Sequence, residues 1–339
     1  MKILVTGGLG YIGSHVATLL IEKNHNIVIA DNLSNASISV LDGIEKITQQ
    51  RPLFEEVDLC QKDAVTKLFH RHPHIDGVVH FAAHKAVQES FVNPLKYYQN
   101  NIIGLLNILE TLVSENIPML FSSSCTVYGE ATHFPISEQS PIKPAVSPYG
   151  TTKQMGENML TDCCHAHPNF KAILLRYFNP IGAHPTAHIG ETPQGIPQNL
   201  VPFLVQTAAG KRAALQVFGT DYPTPDGSCI RDYIHVMDLA EAHIIAIEHL
   251  IQKKQVPPCE IYNVGCGKGH SVLEVVAEFE AVTGVQVPLQ FVNRREGDVV
   301  KAYADTTKIT NQLGWKAQYT LKEALLSAWE WEQKQMKYE

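Results

Sequence analysis

Apolar and polar positions come in regular blocks along the first half of the chain. Residues 2–6 (Lys-Ile-Leu-Val-Thr) form a short apolar run, the pattern of a strand buried on both faces. Residues 14–23 follow with helical periodicity, and residues 26–30 form a second apolar run that ends at Asp31. Together they read as one strand–helix–strand unit of about 30 residues. The rhythm repeats, with strands expected over 53–57, 77–83, 118–122 and 171–177 and helices over 61–72, 95–115 and from Tyr149 onward. Such alternation predicts a doubly wound parallel α/β sheet with helices on both faces. Near Phe178 the pattern changes. Residues 178–197 are rich in Pro, Gly and His without a period, and beyond them helices over 198–210, 236–252, 271–283 and 321–335 mix with short strands. The expectation is a first domain over 1–180 and a smaller α+β lobe over 181–339, placed on the carboxyl ends of the strands and handing some segments back to the first domain.

Gly7-x-x-Gly10-x-x-Gly13 falls between the first strand and the first helix. Glycines there let the backbone turn tightly and approach a pyrophosphate, and the helix N-terminus supplies N–H groups and a partial positive charge. Asp31 stands 18 positions past Gly13 at the end of the second strand, where a carboxylate can accept both ribose hydroxyls. No Arg or Lys adjoins it, so a 2′-phosphate would be repelled. The set predicts a Rossmann domain that binds NAD rather than NADP. Asp58, at the next strand end, reads equally as an adenine contact or as a turn residue.

Tyr149 opens a helix and Lys153 lies four residues on, so the two share one helical face. An ammonium beside a phenol lowers the phenol's pKa, which suits the pair to proton transfer. Taken alone, that spacing more often marks a surface Tyr beside a Lys. Ser124 ends the strand before it. In open α/β sheets ligands sit beyond the carboxyl ends of the strands, so Ser124 and Tyr149 face the same cleft. There a serine hydroxyl can bond a substrate oxygen whose proton the phenolate removes.

Composition narrows the reading further. The chain has 339 residues, 45% hydrophobic and 18% charged, as in an ordinary soluble protein. A net charge of −7 argues against a nucleic-acid-binding surface. The seven Cys are odd in number and scattered without a Cys-x-x-Cys, which fits free thiols in the cytoplasm. No signal peptide or membrane span is expected. Among the 16 His, the densest group is His70, His72 and His74; Pro73 interrupts it and no ligand stands at zinc-site spacing, so no metal is expected.

The glycine motif, the strand-end Ser124 and Tyr-x-x-x-Lys resemble the extended short-chain dehydrogenases/reductases. Longer stretches carry a closer resemblance, to the UDP-glucose 4-epimerases: Tyr11-Ile12-Gly13-Ser14-His15, Asp31-Asn32-Leu33, Tyr-Phe-Asn-Pro at 177–180, Pro-Gln-Gly-Ile-Pro at 193–197, Arg231-Asp232-Tyr233-Ile234-His235 and Arg294-Arg295-Glu296-Gly297-Asp298. These run over nearly the whole chain. The resemblance implies Tyr149 as base, Lys153 as its partner and Ser124 as helper at the sugar hydroxyl. It implies NAD contacts at Gly7, Gly10, Tyr11, Ile12, Asp31, Asn32, Asp58, Phe81, Ala82, Lys85, Asn100 and Tyr177, besides Tyr149 and Lys153. It assigns a UDP-sugar to Ser124, Asn179, Asn199, Phe218, Arg231, Arg295 and Asp298. Two guanidiniums suit a diphosphate, which they grip bidentately. Four residues past Asp298, where some members carry a large Tyr against the sugar C2 substituent, this chain has Ala302; that implies room for UDP-GlcNAc and UDP-GalNAc. Cys125 and His84 depart from the commoner residues at their positions. The resemblance also implies a homodimer.

Two other readings are open to the sequence. A nucleotide-sugar 4,6-dehydratase or decarboxylase would use the same scaffold, but a dehydratase needs Asp-Glu just after the strand-end hydroxyl, and Cys125 and Thr126 stand there. A non-catalytic NAD-sensing regulator would keep the glycine loop but would be expected to lack the Tyr or the Lys; both are present.

Overall fold

A computed structural model describes residues 1–252 and 257–336. The first half alternates as its apolar pattern requires: β1 (Lys2–Thr6), α1 (Tyr11–Glu22), β2 (Asn26–Asp31), α2 (Val40–Thr48), β3 (Leu53–Glu56), α3 (Lys62–Arg71), β4 (Gly77–His80), α4 (Val87–Val92), α5 (Pro94–Tyr98), α6 (Gly104–Glu115), β5 (Met119–Ser124), α7 (Pro148–Ala166) and β6 (Ala172–Tyr177). After it come β7 (Asn179–Ile181), α8 (Leu200–Ala208), β8 (Leu215–Phe218), β9 (Ile230–His235), α9 (Val236–Ile251), β10 (Cys259–Val264), β11 (Gly269–Ser271), α10 (Val272–Thr283), β12 (Leu289–Val292), β13 (Lys301–Ala302), α11 (Thr307–Leu313) and α12 (Leu321–Met336).

The main sheet has seven parallel strands in the order β10-β6-β5-β4-β1-β2-β3. Its central strands are buried along their whole length and mainly apolar because both faces are covered, with polar residues such as His80, Ser122, Ser123 and Arg176 confined to their carboxyl-terminal halves. One face packs Val16, Leu20, Leu239 and Ile247 of α1 and α9 over Ile3, Val5 and Ile29. The other packs Leu68, Ile108, Leu112 and Leu160 of α3, α6 and α7 over Leu4, Val78 and Phe121. Strand order reverses between β1 and β4, which opens a crevice at their carboxyl ends. The later half builds a lobe there, around Val201, Leu204, Tyr233, Phe279 and Trp329. It also sends β10 and α9 back to the main sheet, with Cys259 in register with Ala172.

Three helices lie where the sequence pattern gave none: α2, α4 and α11. The helix expected over 95–115 is continuous but loosened over Gln99–Ile103 into a π-helical turn. Asn101, inside it, explains the widening. Its side chain accepts from the His84 N–H at 2.8 Å and donates to the His84 carbonyl at 3.0 Å and to Thr152 Oγ1 at 3.1 Å. Three tertiary bonds on one buried amide outweigh one turn of ideal helix geometry.

Candidate active site

The crevice is a cleft of about 1460 Å³ between the strand ends and the lobe. At one end lies the glycine loop. Gly7 has φ +66°, and a Cβ on it would meet Ala82 N at 2.6 Å; a Cβ on Gly13 would lie 2.4 Å from the Gly7 carbonyl oxygen. Both positions therefore require glycine. No side chain caps α1 at Gly10, so its N-terminus presents backbone donors to an anion. Asp31 braces the loop: its carboxylate accepts the Leu9 N–H at 3.1 Å and the Leu33 N–H at 3.0 Å. Burial raises its pKa, and those N–H groups pull it back. Asp58 accepts the Cys60 N–H at 2.9 Å, the turn role, while still lining the cleft.

At the centre, Ser147 caps α7 by accepting the Gly150 N–H at 3.1 Å, and Pro148 fills the first helical position. That start fixes Tyr149 and Lys153 on the face turned to β5. Lys153 Nζ donates to the Ser122 carbonyl at 2.6 Å, 4.9 Å from the Phe121 ring centroid and 5.9 Å from that of Tyr149. Burial pushes Lys153 down to about 8, against the upward pull of Glu157. Tyr149 corrects an expectation. Burial pushes its phenol above the ordinary value and Tyr177 adds to that, with only the Ser124 hydroxyl lowering it. The expected net lowering by Lys153 is absent because desolvation dominates. Ser124 Oγ also accepts the Thr126 N–H at 3.3 Å. Tyr177 bonds the Ser122 hydroxyl beneath them.

At the far end, Asp298 Oδ1 lies between two guanidiniums, Arg295 at 3.0 Å and Arg231 at 3.4 Å. Arg295 stacks 5.1 Å over the Phe218 ring. Asp232 does not pair with Arg231; it accepts the N–H groups of Cys266, Gly267 and Ala304, and burial raises it to about 6. Asn199 donates to Glu191 at 3.2 Å, and Lys85 pairs with the same Glu191 oxygen at 2.9 Å, 5.6 Å from the Tyr11 ring centroid. Glu191 was not anticipated, since it lies in the aperiodic stretch after β7.

Every predicted site residue but one lines this cleft, including Gly10, Tyr11, Ile12, Asn32, Phe81, Ala82, Asn100 and Asn179. The exception is Ala302. It is buried with Val127, Tyr128 and Phe178, in ladder register with Arg231, and is not part of the cleft wall. Phe178, a member of that cluster, and Cys125, packed against it, do line the cleft. Among the described residues no group of His, Cys, Asp or Glu is arranged to hold a metal ion; His72, for example, bonds Glu55.

A family model described as GDP-mannose 4,6 dehydratase matches residues 4–327. A UDP-glucose 4-epimerase of Yersinia enterocolitica is 46% identical over 98% of this chain and 97% of its own length. The solved UDP-glucose 4-epimerase of Stenotrophomonas maltophila, with bound NAD and formylated UDP-arabinopyranose, is 42% identical with a TM-score of 0.95 and full coverage of both chains. The UDP-Glc/GlcNAc 4-epimerase of Campylobacter jejuni is 39% identical with a TM-score of 0.83, covering 98% of this chain and 99% of that one.

Proposed function

The chain belongs to the UDP-glucose 4-epimerase family, and from that premise we infer how its cleft divides the work of epimerising a UDP-hexose at C4. The protein is an NAD-dependent isomerase acting on UDP-glucose and UDP-galactose. The glycine loop fits the cofactor: Gly7, Gly10 and Gly13 line the cleft at the N-terminus of α1, which no side chain caps, and the turn packs so closely at Gly7 and Gly13 that it admits no side chain there. Gly7, Gly10, Tyr11, Ile12, Asp31, Asn32, Asp58, Phe81, Ala82, Lys85, Asn100 and Tyr177 would hold it, with Tyr149 and Lys153 at its reactive end. Held there, NAD would supply the hydride acceptor and donor that C4 epimerisation requires.

The residues of the chain handle the proton and the grip. Tyr149 removes the proton of the 4-hydroxyl as the carbonyl forms and gives it back when the alcohol is restored, so no net redox change occurs. Ser124 bonds the same oxygen. Lys153, held by the Ser122 carbonyl, opposes the charge that develops on the buried phenol. Arg231 and Arg295 bind the diphosphate, Phe218 stacks near the uracil, and Asn179, Asn199 and Asp298 complete the nucleotide site. Binding energy then concentrates on UDP, which leaves the keto sugar free to turn over between the two hydride transfers. The observation that carries this reading is the order along one cleft: anion loop, Tyr149–Lys153–Ser124, paired guanidiniums. No acid follows Ser124, which removes the group that a 4,6-dehydratase needs.

The sugar pocket is read more finely as accepting N-acetylated pairs. Ala302 acts from behind the wall, since a large side chain there would press Cys125 and Phe178 into the cleft. We place the enzyme in the cytoplasm, where its seven thiols stay reduced. We read it as a homodimer: Leu105, Leu109 and Leu160 are spent in the core, but Ile103, Leu106 and Met155 remain exposed on neighbouring helices. A monomer mass in light scattering would contradict that.

The test is conversion of UDP-galactose and of UDP-GalNAc by purified protein without added NAD. Both should reach equilibrium with their C4 epimers. Failure of both overturns the reading; failure of the N-acetyl pair alone overturns only the role of Ala302.

A further inference from the structure

Helix α7 carries a third ionisable side chain on the face of Tyr149 and Lys153. Glu157 lies one turn beyond Lys153 and is 6% exposed. We propose that Glu157, paired with Arg176, is a positioning group that sets the electrostatic field on Lys153 and so fixes the pH range in which the Tyr149–Lys153 pair works. It rests on the reading of that pair as the proton-handling centre.

The helix is tied to β5 twice, one turn apart, next to Ser124. Lys153 takes the Ser122 carbonyl at 2.6 Å, and Glu157 takes the Ser123 hydroxyl at 2.5 Å. Arg176, the ladder neighbour of Ser123 on β6, closes the arrangement with Nε at 2.9 Å and Nη2 at 2.5 Å from the two Glu157 oxygens. Its guanidinium sits 4.8 Å from the Tyr128 ring centroid. A buried ion pair of this kind contributes little net stability compared with apolar residues of the same volume. Its place behind Lys153 gives it a second use.

Few other charges reach the pair. His80 from β4 faces Lys153, but burial holds it down to about 3, so it is neutral. Tyr177 from β6, Cys125 after β5 and Tyr97 from α5 face Tyr149, and all are raised by burial and uncharged at neutral pH. Glu157 is faced by Arg176 from β6, Ser123 from β5 and Cys259 from β10. Glu157 is thus the carboxylate whose charge opposes the desolvation of Lys153.

The working state of the pair holds one proton between phenol and amine, so its two macroscopic pKa values bound a bell-shaped rate profile. A more positive surrounding lowers both, and a more negative one raises both. Glu157→Gln leaves Arg176 unopposed, so the bell for kcat should move acidward by roughly 1 pH unit. Arg176→Gln leaves Glu157 unopposed and should move it alkaline by a similar amount. The double variant restores neutrality, buries no unpaired charge and should return the profile to wild type. Loss of packing alone would lower kcat without moving the two singles in opposite directions. Should one single variant fail to fold, the other and the double decide by the same rule. Shifts of the same sign, or none, overturn the proposal. Tyr149→Phe, run alongside, separates the two failures: if it keeps its turnover, the reading of the pair itself is wrong.

Discussion

In the proposed mechanism Tyr149 loses and regains a proton although its surroundings favour the neutral phenol. The Ser124 hydroxyl lowers that cost, and Lys153 is held over β5 nearby, with its Nζ 5.9 Å from the Tyr149 ring centroid. The spacing of Tyr149 and Lys153 and the strand-end place of Ser124 were legible in the sequence because each depends on local periodicity. The sign of the Tyr149 shift was not, because it depends first on burial under distant parts of the chain, and then on Tyr177, Cys125 and Tyr97, which arrive from elsewhere in the chain. Glu191 escaped for a related reason: its partners Lys85 and Asn199 lie 106 and 8 residues away in sequence, in no shared pattern. Ala302 shows a different limit: its position relative to Asp298 pointed to the pocket, whereas its strand buries it beside Val127, Tyr128 and Phe178, a packing that sequence distance does not reveal.

At the scale of elements, the parallel strands and the helices between them were readable because burial on both faces forces continuous apolar runs. The short helices α2, α4 and α11 were not, since each spans 9, 6 and 7 residues and is fixed by tertiary contact. The β1–α1 turn is the least forgiving element. In Gly13→Ala the new Cβ would lie 2.4 Å from a backbone oxygen that no rotamer change can move. The variant should lose about 1–3 kcal/mol of stability and most of its bound NAD. Cofactor released per chain on denaturation measures this, and a full complement would contradict the role given to the loop.

Across the whole molecule, five buried histidines link stability to acid. Burial pushes His15 and His80 down to about 3 and His184, His235 and His243 down to about 4. Unfolded histidines bind protons near pH ~6.5, whereas these folded ones refuse them. Their contribution is therefore present above that value and is lost as pH falls towards 4. Asp232, raised to about 6, acts in the opposite sense, as do Asp31, Glu138 and Asp238, which burial also raises; the five histidines, pushed down to about 3 or 4, outweigh them. The thermal midpoint should fall steadily between about pH 7 and pH 5. A flat or rising midpoint would show that these rings are not held neutral in the fold. The same tertiary surroundings join the cofactor end of the cleft to the lobe, through His15 and His184 with ring centroids 6.5 Å apart.

The most direct measurement is made on Tyr149→Phe. Phe keeps the ring and its packing and removes only the hydroxyl to which the proposed mechanism assigns the proton transfer. The variant should retain bound NAD, measured after denaturation, and should epimerise UDP-galactose roughly 10²–10⁴-fold more slowly than wild type. Turnover at the wild-type rate, with the cofactor still bound, would contradict the account.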